Sequence, residues 1–372
     1  MSDRKWMSRA LQLAERGLYT TDPNPRVGCV LVKGDEIVGE GWHYRAGLPH
    51  AEKAALVNAG KNARGSTAYV TLEPCCHHGR TPPCSDALID AGVVRVVAAM
   101  QDPNPLVAGN GLASLRAAGI TVESGLLDAQ AKALNPGFIR RMSTSRPYVR
   151  CKLAMSLDGR TAMASGESKW ISSDASRCDV HRLRARSSAI VTGIGTVLAD
   201  DPSMTVRLQA EDLPGVEDAA DIRQPLRVVV DSSLRTPVDA NILQSHQAHR
   251  TLIITTSEDA QRRDALLQAG AEILTHTDEP QVSLPLLCEQ LAQREINELL
   301  IEAGPTLAGA ALQAGIIDEL VIYMAPHLMG NSARGLFNLP GLQQMAQRIP
   351  LSIKDVRQIG PDFRLTLTPE RD

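Results

Sequence analysis

A chain of 372 residues, 43% hydrophobic and 22% charged, is too long for one ordinary domain and has the make-up of a folded protein with real cores. A formal net charge of −3 and an aromatic content of 3% argue against a nucleic-acid partner, which would want a basic channel and stacking platforms. No run approaches the roughly 20 apolar residues of a membrane span, and the amphipathic start reads as no signal peptide.

The first 140 residues alternate between helical and extended patterns. Trp6, Met7, Ala10, Leu11, Leu13 and Ala14 recur at helical spacing and Gly17 supplies a stop. "RVGCVLV" and "EIVGEGWHY" are extended runs joined by the turn "KGDE", which predicts a hairpin. There follow a helix "HAEKAALVNAG", a strand "TAYVTL", a helix "CSDALIDAG", a strand "VVRVVAAM", a helix "NGLASLRAAG", a strand "ITVES" and a helix around 127–134. Repeated strand-then-helix units predict a mostly parallel sheet covered on both faces. A linker is expected near 143–147, dividing the chain into domains 1–145 and 146–372, and the five basic residues from Arg140 to Lys152 read as a solvated connector. Beyond it "YVRCKLAMSLDGRTA" reads as strand, Asp158-Gly159 turn and strand. "DVHRLRARSSAIVTGIGTVLADDP" reads as helix, strand and turn, and "PLRVVVDSS" and "RTLIITT" as buried parallel strands. The acidic stretch 209–224 is loop-like, "INELLIEAGPTLAGAALQAG" gives a strand, a Gly-Pro turn and a helix, and "ELVIYMAP" adds a strand.

Chemistry concentrates in "EPCCHHGRTPPC", residues 73–84, which holds three of the seven cysteines. An odd cysteine count clustered this way argues against a disulfide framework and for a reducing compartment, so a cytoplasmic location is expected. A catalytic zinc takes three protein ligands and keeps a position for water, whose lowered pKa then calls for a carboxylate to move protons. "HAE" at 50–52, followed by Pro-Cys and a further Cys, is the pattern of zinc-dependent nucleobase deaminases. It assigns His50, Cys75 and Cys84 to zinc and makes Glu52 the proton carrier. Residues two apart on a helix face different ways, so His50 has to sit at a non-helical cap or approach from another side. Eight residues separate Cys75 from Cys84, and Cys76, His77 and His78 lie between. Were one of these a fourth ligand the site would be structural, a reading that leaves Glu52 without a purpose.

"TDPNPRVGCVLV", "HAEKAAL", "TLEPCCHHGRTPPC" and "DPNPLVAGNG" together closely resemble the deaminase half of the bifunctional riboflavin-biosynthesis deaminase–reductases. The resemblance implies a cytidine-deaminase-like three-layer α/β/α domain. It further implies deamination of 2,5-diamino-6-(5-phosphoribosylamino)pyrimidin-4-one, then NADPH reduction of the ribosyl group to a ribityl chain. On this likeness Asn24, His77 and Arg80 line one wall of the pyrimidine and phosphate pocket, and Asp102 and Asn104 the other. Plain turn chemistry is the other reading of both Pro-Asn-Pro stretches.

The second half has no GxGxxG fingerprint after a strand, though "TGIGTVLADDP" and "EAGPTLAGA" are glycine turns placed just after strands. "KLAMSLDGR", "SGESKWIS", "GIGTVLADDPSMTVR", "VVVDSSLRTP" and "EAGPTL" resemble the reductase half of the same family, whose fold is similar to dihydrofolate reductase. The likeness implies NADPH contacts from Ala154, Trp170, Thr196, Asp200 and the run Gly304, Pro305, Thr306, Leu307, Ala308, Gly309 and Ala310. It implies substrate contacts from Ser168, Arg184, Met204, Arg207 and Glu302, the arginines clamping the ribose phosphate. Alternatively Arg184 belongs to an ordinary basic helix face. Lys152 or Asp200 is the candidate for proton transfer at the sugar. The implied cofactors are Zn2+ and NADPH, the partner is the small pyrimidine ribosylamine phosphate, and a homo-oligomer is expected. The competing readings are a nucleic-acid base deaminase with an appended domain and a non-catalytic module with structural zinc.

Overall fold

In the computed structural model, which describes residues 2–76, 83–105, 107–244, 250–277 and 280–370, the apolar spacing near the start becomes α1 (Ser2–Glu15), with Trp6, Met7, Ala10, Leu11, Leu13 and Ala14 all buried. The expected hairpin is formed by β1 (Gly28–Lys33) and β2 (Glu36–Trp42), turning through Gly34 at a φ of +62° that favours glycine. After it come α2 (Ala51–Ala59), β3 (Thr67–Val70), α3 (Cys84–Asp90), β4 (Arg95–Ala98), α4 (Asn110–Ala117), β5 (Thr121–Ser124), α5 (Asp128–Leu134) and α6 (Pro136–Thr144).

The five strands lie in the order β2-β1-β3-β4-β5. The expectation of a mostly parallel sheet needs correcting here. β1 is antiparallel to both β2 and β3, and only β3, β4 and β5 run parallel. The physical reason is the entry hairpin, whose short turn reverses the chain before any crossover helix can be inserted. β2 then reaches β3 through α2, stepping over β1. The helices are pressed hard onto this sheet. A Cβ on Gly28 would stand 2.0 Å from the Ala10 carbonyl oxygen of α1, and one on Gly41 would stand 2.5 Å from the Ala55 nitrogen of α2. Those glycines set how closely α1 and α2 approach the sheet, and α2 carries Glu52.

Two compact units result, one made of the chain up to Arg146 together with Gln209–Arg223, the other of Pro147–Leu208 and the chain from Gln224 onward. The stretch around 143–147 is helical through Thr144, and the acidic loop that carried no function in the sequence reading is a component of the first unit.

The second unit is built from β6 (Tyr148–Ser156), β7 (Arg160–Ala162), α7 (Asp174–Arg186), β8 (Ala189–Gly193), α8 (Ile194–Asp200), β9 (Leu226–Val230), β10 (Thr251–Thr255), α9 (Ala260–Gln268), β11 (Ala271–Thr275), α10 (Leu284–Gln293), β12 (Glu298–Glu302), α11 (Pro305–Gln313), β13 (Glu319–Ala325), β14 (Arg334–Gly335), β15 (Leu351–Ile359) and β16 (Asp362–Pro369). Nine strands form one sheet in the order β11-β10-β9-β8-β12-β6-β13-β16-β15, parallel as far as β13 and antiparallel through the last two. Apolar clusters fill both faces, one around Val149, Ile301 and Leu291, the other around Ile190, Val229 and Tyr323. β7 pairs with β14 in a separate two-stranded sheet. Where a turn was expected after "SAIVTG", the chain forms α8.

The solvated-connector reading of the basic stretch fails at its far end. Arg150 is 3% exposed within β6 and lies between Glu298 and Glu319, the latter 2.7 Å from its Nε. Lys152, on the same strand, is Cα partner to Glu302 across the β6–β12 pair. Charges sit inside this sheet because each has an opposite charge beside it.

Candidate active sites

The local structure answers the question of how His50 and Glu52 share a site. His50 is the N-cap of α2, with φ −69° and ψ 163°, so its extended backbone turns the ring away from the helical path that Glu52 follows. Nδ1 of His50 lies 3.4 Å from Cys84 Sγ and 3.7 Å from Cys75 Sγ, and the Cys84 backbone N–H donates to Cys75 Sγ at 3.3 Å. A tetrahedral zinc with ordinary bond lengths requires its nitrogen and sulfur ligands to be about 3.5–3.8 Å apart, so this donor set fits zinc in chemistry and in spacing. Among the described residues these three side chains alone converge in this way, and Cys76 is not among them. The Cys75 thiol is held well below its ordinary value, first by its hydrogen bond with Cys84 and then by His50, while Cys84 is pushed up by the same hydrogen bond and by burial.

Glu52 is 3% exposed, and burial pushes its carboxyl up to about 7 against the opposing pull of His50. The charges of His50 and Cys75 both act on it, which places the carboxyl beside the ligand cluster. A buried acid near neutrality beside three side chains able to hold a metal ion is suited to receiving and returning a proton.

Asn24 and His43 are in contact. Asn24 Nδ2 meets His43 Nε2 at 3.0 Å, and His43 Nδ1 meets the Pro49 carbonyl oxygen at 3.0 Å. Both contacts are satisfied by a neutral ring that carries its proton on Nδ1, and burial lowers the pKa in keeping with that state. The ring stands edge-on to His50, with centroids 5.2 Å apart. Asp102 Oδ1 accepts the Asn104 backbone N–H at 2.8 Å, the turn chemistry that was the alternative reading of "DPNP". Beneath it Glu73 accepts four backbone N–H groups, from Gly111 and Leu112 at the start of α4 and from Asp102 and Gly109. Glu73 immediately precedes Pro74 and Cys75, so it ties the Cys75 loop to the Asp102 turn and the start of α4. His77 and Arg80 lie outside the described residues.

In the second unit two of the three charged groups assigned to substrate, Arg184 and Glu302, bind each other. Arg184 donates from Nε and Nη2 to the two Glu302 oxygens at 2.6 and 2.9 Å, and its Nη1 donates to the Thr205 carbonyl oxygen at 3.1 Å. Met204 is buried with its Sδ 3.9 Å from Arg184 Nη2, and Arg207 is exposed. Burial alone would raise the Glu302 carboxyl, but Arg184 and Lys152 outweigh it and hold the group below its ordinary value. Lys152 is lowered by burial. The basic-helix-face reading of Arg184 does not describe this geometry, because the guanidinium is aimed inward at β12. Ala154 is half-buried on β6, and Ser168 and Thr196 are half-buried too. Asp200 is exposed with Lys169 Nζ at 3.9 Å, and Trp170 is exposed with the Arg177 guanidinium 4.4 Å from its ring centroid. Gly304 caps α11 and, with Thr306 and Ala310, is exposed, whereas Ala308 is part of the core and a Cβ on Gly309 would stand 2.1 Å from the Asn338 carbonyl oxygen.

Sequence reasoning passed over His43, Glu73 and His181. His181 sits three residues before Arg184 on α7 and its Nδ1 accepts the Arg207 backbone N–H at 3.2 Å. That i,i+3 spacing was the available signal. For Glu73 the only signal was an acid between a strand and a Pro-Cys pair, and "HAE" had already supplied the acid the chemistry required.

Comparison with known proteins agrees with both halves. Residues 147–365 match the family described as the RibD C-terminal domain, and residues 1–100 match the cytidine and deoxycytidylate deaminase zinc-binding region. The riboflavin biosynthesis protein RibD of Escherichia coli is 53% identical over 369 residues, 99% of each chain. The solved RibD of Acinetobacter baumannii is 48% identical with a TM-score of 0.91, covering 100% of this chain and 99% of that one. A Thermotoga maritima structure, described as a diaminohydroxyphosphoribosylaminopyrimidine deaminase/5-amino-6-(5-phosphoribosylamino)uracil reductase, is 33% identical with a TM-score of 0.86 and covers 99% of both chains.

Proposed function

The chain belongs to the RibD family and is a bifunctional deaminase–reductase of riboflavin biosynthesis; from that premise we propose that its first unit deaminates 2,5-diamino-6-(5-phosphoribosylamino)pyrimidin-4-one and its second reduces the ribosyl group of the product with NADPH. The observation that carries the first assignment is the buried Glu52 carboxyl facing the His50, Cys75 and Cys84 cluster.

His50, Cys75 and Cys84 hold the zinc, which when bound supplies Lewis-acid activation of the attacking water. Glu52 takes the proton that this water loses and delivers it to the ring nitrogen, then carries the proton of the newly added hydroxyl to the amine, which leaves as ammonia while the ring carbonyl forms. Asn24, oriented by His43, offers its amide to the edge of the pyrimidine. Asp102 and Asn104 line the same pocket, and by the family likeness alone His77 and Arg80 are assigned to the pyrimidine and phosphate.

In the second unit NADPH supplies the hydride. Ala154, Trp170, Thr196, Asp200 and the Gly304–Ala310 run hold it, the exposed start of α11 taking its phosphates through open backbone N–H groups. Ser168, Arg184, Met204, Arg207 and Glu302 take the substrate. The Arg184–Glu302 pair fixes the floor of that site, which leaves the exposed Arg207 as the group presented to the phosphate. Lys152 is the better candidate than Asp200 for moving a proton at the sugar, since it is held beside Glu302 while Asp200 is exposed.

A homo-oligomer and a cytoplasmic location belong to the same proposal. The edge strand β15 leaves Leu351, Ile353 and Val356 exposed, a face suited to a second copy of the chain. All seven cysteines are free thiols, in keeping with a reducing compartment, and among the described residues no helix is long and apolar enough to cross a membrane.

The test supplies purified protein with the diaminopyrimidinone and, separately, with its deaminated product, following ammonia and NADPH. A zinc chelator should stop ammonia release and leave reduction of the deaminated compound running. Glu52→Ala should abolish ammonia release with zinc and fold retained. Loss of zinc or folding in that variant would support the structural-zinc reading, and ammonia release from a single-stranded oligonucleotide would support the nucleic-acid one.

A further inference from the structure

Gln209–Arg223 is encoded between α8 and β9, inside the stretch that matches the reductase family, yet it packs with the unit that carries the zinc ligands. Its contacts there are specific. The Asp221 carboxylate accepts from Tyr44 Oη and from Arg45 Nη1, each at 2.5 Å, and the Glu217 backbone N–H donates to Tyr44 Oη at 3.2 Å. Arg223 Nη1 lies 3.3 Å from Asp22 Oδ2. Leu213 is 1% exposed. At Gly215, where φ is +88°, a Cβ would stand 2.0 Å from the Arg16 carbonyl oxygen, so the segment runs directly against the chain leaving α1.

The anchored residues adjoin the side chains assigned to the substrate ring. Asp22 is two residues before Asn24, and Tyr44 follows His43. Asn24 and His43 meet each other at 3.0 Å, and His43 stands against the metal ligand His50. Both partners in the Asn24–His43 contact therefore lie on loops whose neighbouring charged or hydroxyl groups are held by Gln209–Arg223.

We propose that Gln209–Arg223 is a working part of the deaminase site, a strap in which Asp221 and Arg223 are positioning residues that fix His43 and Asn24 for the substrate ring. The proposal rests on the deaminase reading above. Neither side chain touches reacting atoms, and both act by limiting how far two loops can drift. Their loss should weaken ground-state positioning of the ring more than the proton transfer, which depends on Glu52 in the buried first turn of α2.

The experiment uses the full-length, zinc-loaded chain and the variants Asp221→Asn, Arg223→Gln, Arg223→Lys and Tyr44→Phe. Since misplacement of about 1 Å costs up to about a hundredfold, a partial loosening should raise the deaminase KM by about tenfold in Asp221→Asn and Arg223→Gln, with kcat within about twofold. Zinc content and the rate of reducing the deaminated substrate should stay at the parent values. Arg223→Lys, which keeps a positive charge facing Asp22, should recover most of the KM. Should Asp221→Asn fail to fold, Tyr44→Phe removes a single hydroxyl and should raise KM by about threefold, a fraction of the effect of a full displacement. An unchanged KM in the folded variants, or a parallel fall of zinc content and both activities, would overturn the proposal. A parent chain that releases no ammonia would instead overturn the deaminase reading itself.

Discussion

Replacing Glu73 with Gln should loosen the metal loop out of proportion to the size of the change. The native carboxylate accepts N–H groups from Gly111 at 2.9 Å, Leu112 at 3.2 Å, Asp102 at 3.1 Å and Gly109 at 2.9 Å, all within a buried pocket. An amide keeps one oxygen for two of these donors and turns an NH2 group toward the other two. Each hydrogen bond to a charged group contributes about 1.5–3 kcal/mol, so the loss of two amounts to about 3–6 kcal/mol in the first unit. At about 2–4 °C per kcal/mol, its thermal midpoint should fall by roughly 6–24 °C. The same donors hold the start of α4 and the Asp102 turn against Pro74 and Cys75, so zinc should also leave faster. Circular dichroism melting of the zinc-loaded protein and transfer of zinc to a chromophoric chelator measure the two effects. Glu123→Gln, at an exposed pair with Arg95, is the control and should cost about 0–1 kcal/mol. A Glu73→Gln protein that melts with the control and keeps its zinc would refute the account of Glu73 as the tie between the Cys75 loop, the Asp102 turn and α4.

Further outcomes follow from the same geometry. Gly41→Ala would place a Cβ 2.5 Å from the Ala55 nitrogen and 2.6 Å from the Ala51 carbonyl oxygen, both backbone atoms of α2. The displaced helix should lower ammonia release by about a hundredfold while reduction, assayed on the deaminated substrate, proceeds at the parent rate. Arg150→Met takes the shared cation from the buried Glu298 and the half-buried Glu319, while Arg186 stays 3.2 Å from Glu298. The cost to the second unit should therefore fall below the roughly 3–5 kcal/mol of a fully unpaired buried charge, read as a lower urea midpoint. His181 is lowered to about 4, first by burial and then by Arg184 and Arg207. As pH falls through the unfolded value of 6.5 the unfolded chain takes up this proton before the folded one, so stability should decline between pH 6.5 and about 4. His181→Gln should flatten that slope, and an unchanged slope would count against the assignment.

Local patterns carried much of this protein into view. The α1 spacing, the hairpin turn and the His50, Glu52, Cys75 and Cys84 set were all legible because each depends on residues close in sequence or on a fixed chemical requirement. The sense of the first sheet was not, since the partner that β1 chooses beyond its hairpin is a long-range matter. Arg150 and Lys152 looked solvated because their acidic partners lie more than a hundred residues away on β12 and β13. "GIGTVLADD" read as a glycine turn, yet Gly193 serves as an extended N-cap to α8. Nothing local marked 209–223 as belonging to the first unit, because its acidic and proline residues fit any surface loop and its contacts are with Arg16, Asp22, Tyr44 and Arg45.

The path of that segment also orders events during synthesis. The polypeptide enters the second unit at Pro147, returns at Gln209 and leaves again after Arg223, so the first unit lacks a constituent until some eighty further residues have been translated. A gene split at the obvious midpoint would separate two products of which one carries the other's missing piece.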